Sequence, residues 1–277
     1  MCLVLRRFSI LLATACCAAV WAGSVEGRQL ALDTEISSVA LGGRVHALVV
    51  LPADYATSGK RYPVVYFLHG LPGDASSYRG SAWLAGIAAH AGQSILVEPQ
   101  GARDGDSDAE YLDWGPQRNW SSYVARELPR YIDSHFRTIR SRAGRAIVGI
   151  SAGGYGAAML GLSHLDEFSV VESWSGYFHA TDPTGTKPIA APASANVHHL
   201  LAQLADDEQR RATFLGFYIG SADSRFRVEN EAFADELSAA GIRHVFAIYP
   251  GGHETALWQH QADRWLRLAL DHLVRAA

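Results

Sequence analysis

Residues 147–156 read I-V-G-I-S-A-G-G-Y-G, so four glycines surround one serine directly after a run of strand-forming residues. Glycine is unfavourable inside a strand or helix because it loses the most backbone entropy on folding. The segment Gly149–Gly153 has the pattern G-x-S-x-G, which is typical of a tight turn from a strand into a helix. In such a turn the glycines allow close backbone approach and the serine hydroxyl projects above the sheet. We therefore predict a sharp turn at Ser151.

Apolar runs of strand length lie on both sides of this turn. The first two, separated by L-G-G, predict an antiparallel hairpin with a glycine turn. The later runs are apolar throughout, which is typical of a parallel sheet covered by helices on both faces. The predicted strands lie at 33–40, 44–52, 62–70, 94–100, 145–151, 168–176, 214–223 and 244–253.

Helical patterns alternate with these strands. They are predicted at 79–91, 119–136, 154–163, 226–240 and 256–275. Pro129 should kink or interrupt the second, since proline lacks the amide hydrogen that a helix interior needs. Strand and helix alternation predicts an α/β fold with a mostly parallel central sheet and right-handed crossovers. No interior linker divides residues 24–277, so we predict a single domain.

Residues 180–212 depart from this alternation. The segment begins with the Pro- and Ala-rich stretch A-T-D-P-T-G-T-K-P-I-A-A-P-A-S-A and continues into a short helical pattern. A long irregular insertion in a compact domain is usually functional or disordered. We interpret it as a lid or pocket wall, with a surface excursion as the alternative.

The N-terminus resembles an export signal. Arg6 and Arg7 precede an apolar stretch that ends in small residues near position 23, which predicts a cleaved signal peptide over 1–23 and a secreted or periplasmic protein. The alternatives are an uncleaved anchor or lipidation at Cys16 or Cys17. All three cysteines lie in this segment, so the mature chain would have no disulfide and no cysteine nucleophile. We expect no stable membrane insertion after cleavage.

The formal charge of -4 gives no indication of nucleic acid as a partner. No metal or organic cofactor is indicated either. The predicted partner is a small-molecule or carbohydrate-linked ester, and the sequence does not predict an oligomeric state.

A serine nucleophile needs a base to take its proton and an acid to orient that base. Four histidines follow Ser151 in the sequence: His244, His253, His260 and His272. His253 is the preferred base because it lies in a loop just past a strand, where its imidazole can reach the serine. The other three lie at a strand start or in the last predicted helix.

Asp223 is the preferred acid because it ends F-Y-I-G-S-A-D at the carboxyl end of a predicted strand, where α/β folds collect site residues. Glu229, Glu231 and Asp235 compete but fall on a helical pattern. The developing oxyanion needs backbone donors, for which we predict the amides of Ala152 and Leu71. His69 precedes the serine and is interpreted as a loop hydrogen-bonding residue.

The chain resembles the esterase D, S-formylglutathione hydrolase, feruloyl esterase and antigen 85-like family of α/β hydrolases. The matching stretches are F-L-H-G-L-P-G, W-S-S-Y-V-A-R-E-L-P-R-Y-I-D, R-A-I-V-G-I-S-A-G-G-Y-G-A, W-S-G-Y-F, G-S-A-D and P-G-G-H-E-T-A-L-W. The resemblance implies the α/β-hydrolase fold. It also implies Ser151 as nucleophile, Asp223 as acid, His253 as base, and Leu71 and Ala152 as oxyanion donors.

Two features depart from the family, and a third stays open. Ala152 stands where many relatives have methionine, and the 180–212 insertion matches no known version. Asp113 and Trp114 lie where relatives place substrate-contacting loops, but a packed aromatic with a capping aspartate fits them equally well.

The sequence therefore predicts an exported serine hydrolase that cleaves carboxylic esters through an acyl-enzyme. A secreted acyltransferase of the antigen 85 type would use the same residues, and the sequence does not separate the two because the choice depends on water exclusion. A catalytically silent binding module is the third alternative.

Overall fold

A computed structural model describes residues 30–81, 83–84, 94–105, 111–182, 187–208 and 212–277. One eight-stranded sheet runs through the chain in the order β1-β2-β4-β3-β5-β6-β7-β8. The strands are β1 (Leu30–Ser38), β2 (Gly43–Leu51), β3 (Val64–Leu68), β4 (Ile95–Pro99), β5 (Arg145–Ile150), β6 (Val170–Trp174), β7 (Phe214–Gly220) and β8 (Val245–Tyr249). The β1–β2 and β2–β4 pairs are antiparallel and the other pairs are parallel. The predicted fold class is confirmed.

The predicted N-terminal hairpin is also confirmed. Strands β1 and β2 pair in register from Leu30 opposite Leu51 to Ser38 opposite Gly43. In the turn, the amide of Gly42 donates to the carbonyl of Val39 at 3.2 Å, and Gly42 has a φ of +63°. That backbone conformation favours glycine, which explains the glycine pair between the two strands.

Six α-helical segments connect and flank the strands in the described chain. They are α1 (Trp120–Ser122), α2 (Leu128–His135), α3 (Ala152–Ser163), α4 (Leu201–Glu208), α5 (Arg227–Ala239) and α6 (Thr255–Asp271). Short 3₁₀ turns occur at Ser77–Arg79, Arg142–Gly144, Ala193–Ala195 and Val197–Leu200. No helix of the described residues is both long enough and apolar enough to cross a membrane. The predicted signal peptide over 1–23 and most of the predicted 79–91 helix lie outside the described residues.

A π-helical segment lies directly before Pro129, in a helical stretch that was predicted to be kinked or interrupted there. The helical stretch from Trp120 to His135 contains a π-helical segment at Tyr123–Glu127, and α2 then begins with Pro129 in its first turn. Proline is tolerated there because first-turn amides have no partner within the helix. The wider π turn thus separates two helical pieces that the sequence pattern presents as one.

Hydrophobic cores lie on both faces of the sheet. On one face the core includes residues of α1, α2, α3 and α5, and α3 is buried from Ala152 to Leu162. On the other face α6 packs Trp265, Leu266 and Ala269 against the sheet. This arrangement explains why the middle strands are apolar throughout, since both of their faces are covered.

Two carboxyl groups are buried on β4 and β6, those of Glu98 and Glu172. Burial raises the pKa of Glu98 from an ordinary value of 4.5 to about 8. A hydrogen bond with Ser81 lowers this pKa, but by less than burial raises it. Burial also raises the pKa of Glu172 well above its ordinary value, although the indole of Trp174 donates to it at 2.9 Å. Both groups therefore carry their proton near neutral pH.

We expect Glu98→Gln to remove part of the pH dependence of folding stability. Between about pH 5 and 8 the native state keeps the Glu98 proton while the unfolded state loses it, so stability falls as pH rises. The free energy of unfolding of the glutamine variant should therefore rise relative to that of the wild type by about 1 kcal/mol for each pH unit of increase in this range. Urea unfolding at several pH values measures this difference. Glu231→Gln, on the surface of α5, is the control, and parallel stability curves for Glu98→Gln and wild type would contradict the expectation.

Candidate active site

Ser151 occupies a strained turn between β5 and α3. Its φ of 54° and ψ of -120° are unusual for a residue other than glycine. A β-carbon at Gly149 would lie 2.2 Å from the carbonyl oxygen of Gly153, and one at Gly153 would lie 2.1 Å from that of Leu68. Only glycine fits at either position, which accounts for the G-x-S-x-G pattern. Backbone strain of this kind is concentrated at functional sites.

We expect Gly153→Ala to destabilise the fold strongly, because the added methyl group would overlap backbone atoms that have no freedom to withdraw. The expected loss of unfolding free energy is about 3 kcal/mol or more. Gly59→Ala is the matched control, since a β-carbon there meets nothing within 4 Å. Thermal unfolding of both variants measures the effect, and equal melting temperatures would contradict the close approach.

The side chains of Ser151, His253 and Asp223 form one chain of hydrogen bonds. Nε2 of His253 lies 2.8 Å from Oγ of Ser151, and its Nδ1 lies 2.7 Å from Oδ2 of Asp223. The three residues follow β5, β8 and β7, so they meet at the carboxyl edge of the sheet. The side chain of His253 is 12% exposed and that of Asp223 is 1% exposed. The structure therefore brings together the three residues that the sequence selected.

Asp223 is held ionised by its surroundings. Burial alone would raise its pKa, but the hydrogen bond and charge of His253 and two backbone amides outweigh burial and lower it. Those amides belong to Arg225 and Phe226 and donate to Oδ1 at 3.1 and 3.3 Å. An ionised Asp223 accepts the Nδ1 proton of His253, which leaves Nε2 free to accept the proton of Ser151.

The competing acids and histidines lie apart from this chain. Glu229 accepts hydrogen bonds from His179 and from the amide of Phe178, Glu231 pairs with Arg227, and Asp235 is exposed. His244 and His272 bond to backbone carbonyls through Nδ1, and His260 is exposed.

The two predicted oxyanion donors lie beside Ser151. Ala152 is the first residue of α3, where helix amides have no intrahelical partner. Leu71 follows β3 and lines the same cleft as Ser151; a β-carbon on the preceding Gly70 would lie 3.1 Å from that of Ser151. Within the described residues, neither amide donates a hydrogen bond. Their role as oxyanion donors stays a prediction.

His69 holds the loop that carries Leu71. Its Nε2 accepts from the amide of Gly101 at 3.1 Å, so its Nδ1 carries the proton and donates to the carbonyl of Gly70 at 2.9 Å. The hydroxyl of Tyr111 donates to the carbonyl of His69 at 2.9 Å. Burial lowers the pKa of the His69 imidazole. The interpretation of His69 as a loop residue is confirmed. Gly101 and Tyr111 could not be identified from the sequence as partners of His69.

A cleft of about 450 Å³ opens over Ser151. Its apolar walls include Leu71, Trp83, Ile150 and Trp258, and polar groups such as Gln259 also line it. Sequence reasoning missed both tryptophans as cleft residues, because each comes from an element far from Ser151 in the chain.

The 180–212 segment borders a different cavity in the described chain. That cavity has about 430 Å³ and is lined by residues 188–199 together with His179 and Ala180. The segment is fixed to α3, since the hydroxyl of Tyr155 donates to the carbonyl of Ala195 at 2.6 Å. Its proposed lid function over Ser151 stays a prediction.

Asp113 caps a helix, which resolves one alternative left open by the sequence. Its carboxylate accepts from the amide and the hydroxyl of Ser122 at 3.0 and 2.7 Å, in the first turn of α1. Trp114 is half-buried against the core. These contacts favour the interpretation of the pair as a packed aromatic with a capping aspartate.

No group of three or more His, Cys, Asp or Glu side chains in the described chain is arranged to hold a metal ion.

The mixed sheet, the turn at Ser151 and the flanking helices define an α/β hydrolase. The chain belongs to the esterase family, whose model, described as "Putative esterase", matches residues 38–267. Esterase Rv1288 of Mycobacterium tuberculosis is 34% identical over 138 residues, which are 50% of this chain and 30% of that protein. This match therefore covers less than a third of the relative's length.

Two solved structures show the same fold. The first is the fluorophosphonate-binding serine hydrolase FphF of Staphylococcus aureus, with a TM-score of 0.75 and 21% identity over 88% of this chain and 99% of that one. The second is an S-formylglutathione hydrolase of Agrobacterium tumefaciens, with a TM-score of 0.72 and 20% identity over 91% and 98% of the chains.

Proposed function

We propose that this protein is an exported serine esterase that hydrolyses carboxylic esters through an acyl-enzyme on Ser151. The hydrogen-bonded chain from Ser151 through His253 to Asp223 is the observation that carries the proposal. It supplies a nucleophile, a base in contact with it and an ionised group that orients the base. Membership of the esterase family supports the same reaction class.

In the acylation step, Oγ of Ser151 attacks the ester carbonyl carbon while Nε2 of His253 takes its proton. The carbonyl oxygen becomes an anion, which the amides of Leu71 and Ala152 would bind. Ala152 is the first residue of α3, and the positive end of the helix dipole there adds to the stabilisation of the anion. Collapse of this intermediate breaks the bond to the alcohol oxygen. His253 then returns its proton to the departing alcohol.

Deacylation repeats these steps with water in place of the alcohol. Water loses a proton to His253 as it attacks the acyl carbon, and the same proton then goes back to Oγ of Ser151, releasing the acid. Asp223 stabilises the positive imidazole in both halves of the cycle. Two relatives are consistent with this chemistry, since Rv1288 is named an esterase and FphF a serine hydrolase.

Export is part of the proposal because residues 1–23 have the composition of a signal peptide. Edman sequencing of protein recovered outside the cytoplasm should find a new N-terminus near residue 24. Recovery with residue 1 intact, in the cytoplasm, would contradict export while leaving the esterase proposal in place.

Hydrolysis of p-nitrophenyl esters from acetate to palmitate tests the proposed activity. We expect turnover with an optimum chain length that reports the acyl space beside Ser151. With glycerol or a sugar present, free acid should remain the main product. Transferred acyl product in excess of free acid would instead identify an acyltransferase, and no turnover on any ester would favour the silent binding module.

A further inference from the structure

The imidazole of His253 contacts two aromatic rings. Phe226 meets it with a centroid separation of 5.4 Å and an interplanar angle of 61°, and Trp258 meets it at 5.2 Å and 89°. Phe226 follows Asp223 at the start of α5, and Trp258 lies in the first turn of α6. The proposed base is therefore in contact with two side chains that the reaction itself does not use.

The backbone just before His253 is held by two hydrogen bonds. The carbonyl of Gly251 accepts from the amide of Ala222 at 2.8 Å, and the amide of Gly252 donates to the carboxylate of Glu254 at 3.0 Å. The bonds to Asp223 and Ser151 run through the two ring nitrogens, so they fix the imidazole within its own plane. Movement out of that plane has to be limited by the neighbouring rings.

Phe226 is a fixed neighbour. It is buried and stacks on Tyr177 at 4.7 Å, and Tyr177 stacks on Tyr155 of α3 at 5.1 Å and 8°. Close-packed rings of this kind have no room to shift. Phe226 therefore forms a rigid wall on its side of the imidazole.

Trp258 is a different kind of neighbour. It is half-buried and lines the same cleft as Ser151, so it borders both the base and the space for the substrate. Its indole Nε1 has no hydrogen-bond partner in the described structure, so packing alone sets the position of the ring. A change in Trp258 would thus reach His253 directly.

We propose that Trp258 is a positioning residue that holds the His253 imidazole against Phe226, so that Nε2 is aligned with Ser151 and then with the leaving oxygen. This inference rests on the proposed esterase function. The proton transfer to the leaving alcohol demands accurate placement, and a misplacement of about 1 Å can cost about a hundredfold in rate.

Two esters with the same acyl group and different alcohols test this role. p-Nitrophenolate leaves readily without a proton, whereas ethanol leaves only when His253 protonates it. A lost acyl contact would slow both substrates by the same factor. A misplaced imidazole would slow the ethyl ester more, so the ratio of kcat/KM for the ethyl ester to that for the p-nitrophenyl ester isolates the positioning effect.

We expect Trp258→Leu to lower this ratio by about tenfold or more, and Trp258→Phe to restore most of it. Trp83→Leu is the matched control, because Trp83 lines the same cleft but makes its ring contact with Phe67. It should change kcat/KM for both esters equally and leave the ratio unchanged. Thermal unfolding confirms that each variant is folded, and Trp258→Met replaces the leucine variant if that one unfolds.

An unchanged ratio of the two kcat/KM values in folded Trp258→Leu or Trp258→Met would overturn the proposal. The proposal would also be overturned if Trp83→Leu lowered this ratio as much as Trp258→Leu does. These results are distinguishable from failure of the esterase function itself, because wild-type turnover that depends on Ser151 would persist. Absence of wild-type turnover on both esters would refute the esterase function and the positioning role together.

Discussion

Ser151→Ala is expected to lower kcat for ester hydrolysis by on the order of 10⁵-fold, which is the scale seen when a nucleophilic serine is removed. The variant lacks the only atom that can form the acyl-enzyme under the proposed mechanism. The fold should be retained, since the Ser151 backbone bonds, from its amide to Trp174 and from Tyr155 to its carbonyl, do not use the hydroxyl. Initial rates with a p-nitrophenyl ester and a melting curve measure the two effects.

Ser134→Ala is the matched control for this change. Its hydroxyl is exposed on α2 and donates to the carbonyl of Tyr131 at 2.8 Å. Ser134 does not line the cleft at Ser151. It should keep wild-type turnover. Substantial turnover in folded Ser151→Ala would show that another group attacks the ester, and the assignment of the nucleophile would be wrong.

Asp223→Asn should lower kcat by about 10³- to 10⁴-fold with the geometry intact. The amides of Arg225 and Phe226 donate to Oδ1, so the asparagine carbonyl oxygen should take that position. The asparagine NH₂ group would then face Nδ1 of His253 and donate to it. The proton of the imidazole would move to Nε2, which could no longer accept the proton of Ser151.

Asp271→Asn, at the exposed end of α6, provides the control and should not change kcat. The tautomer argument also has a direct readout, since nitrogen NMR of the imidazole distinguishes a proton on Nδ1 from one on Nε2. Wild-type activity in Asp223→Asn would contradict the role of the carboxylate. A proton that remains on Nδ1 in the variant would contradict the stated cause.

Features that depend on local sequence were the most predictable. All eight strands overlap predicted runs, and those from β3 to β7 are apolar because they are buried, whereas β1 and β8 are largely accessible to solvent. The glycines at 149 and 153 mark a turn that no larger residue can form. Ser151, Asp223 and His253 follow strand ends, and parallel strands bring their carboxyl ends to one edge. The sequence therefore predicted the fold and the meeting of these three side chains.

Features that depend on contacts between distant segments were not predictable. Trp83 and Trp258 both line the cleft at Ser151, although each lies far from Ser151 in the chain. Gly101 and Tyr111, which are the hydrogen-bond partners of His69, also come from separate loops. Asp113 could be interpreted either way until its bonds to Ser122 were seen, since capping and substrate contact require the same carboxylate.

Covalent trapping of the nucleophile tests the central claim most directly. The wild-type protein would be treated with a fluorophosphonate, which phosphonylates an activated serine, and then digested and analysed by mass spectrometry. We predict one adduct, on the peptide that contains Ser151, and its loss in Ser151→Ala and strong slowing in Asp223→Asn. An adduct on another residue, or none on a folded wild-type protein, would contradict the activation of Ser151 by His253 and Asp223.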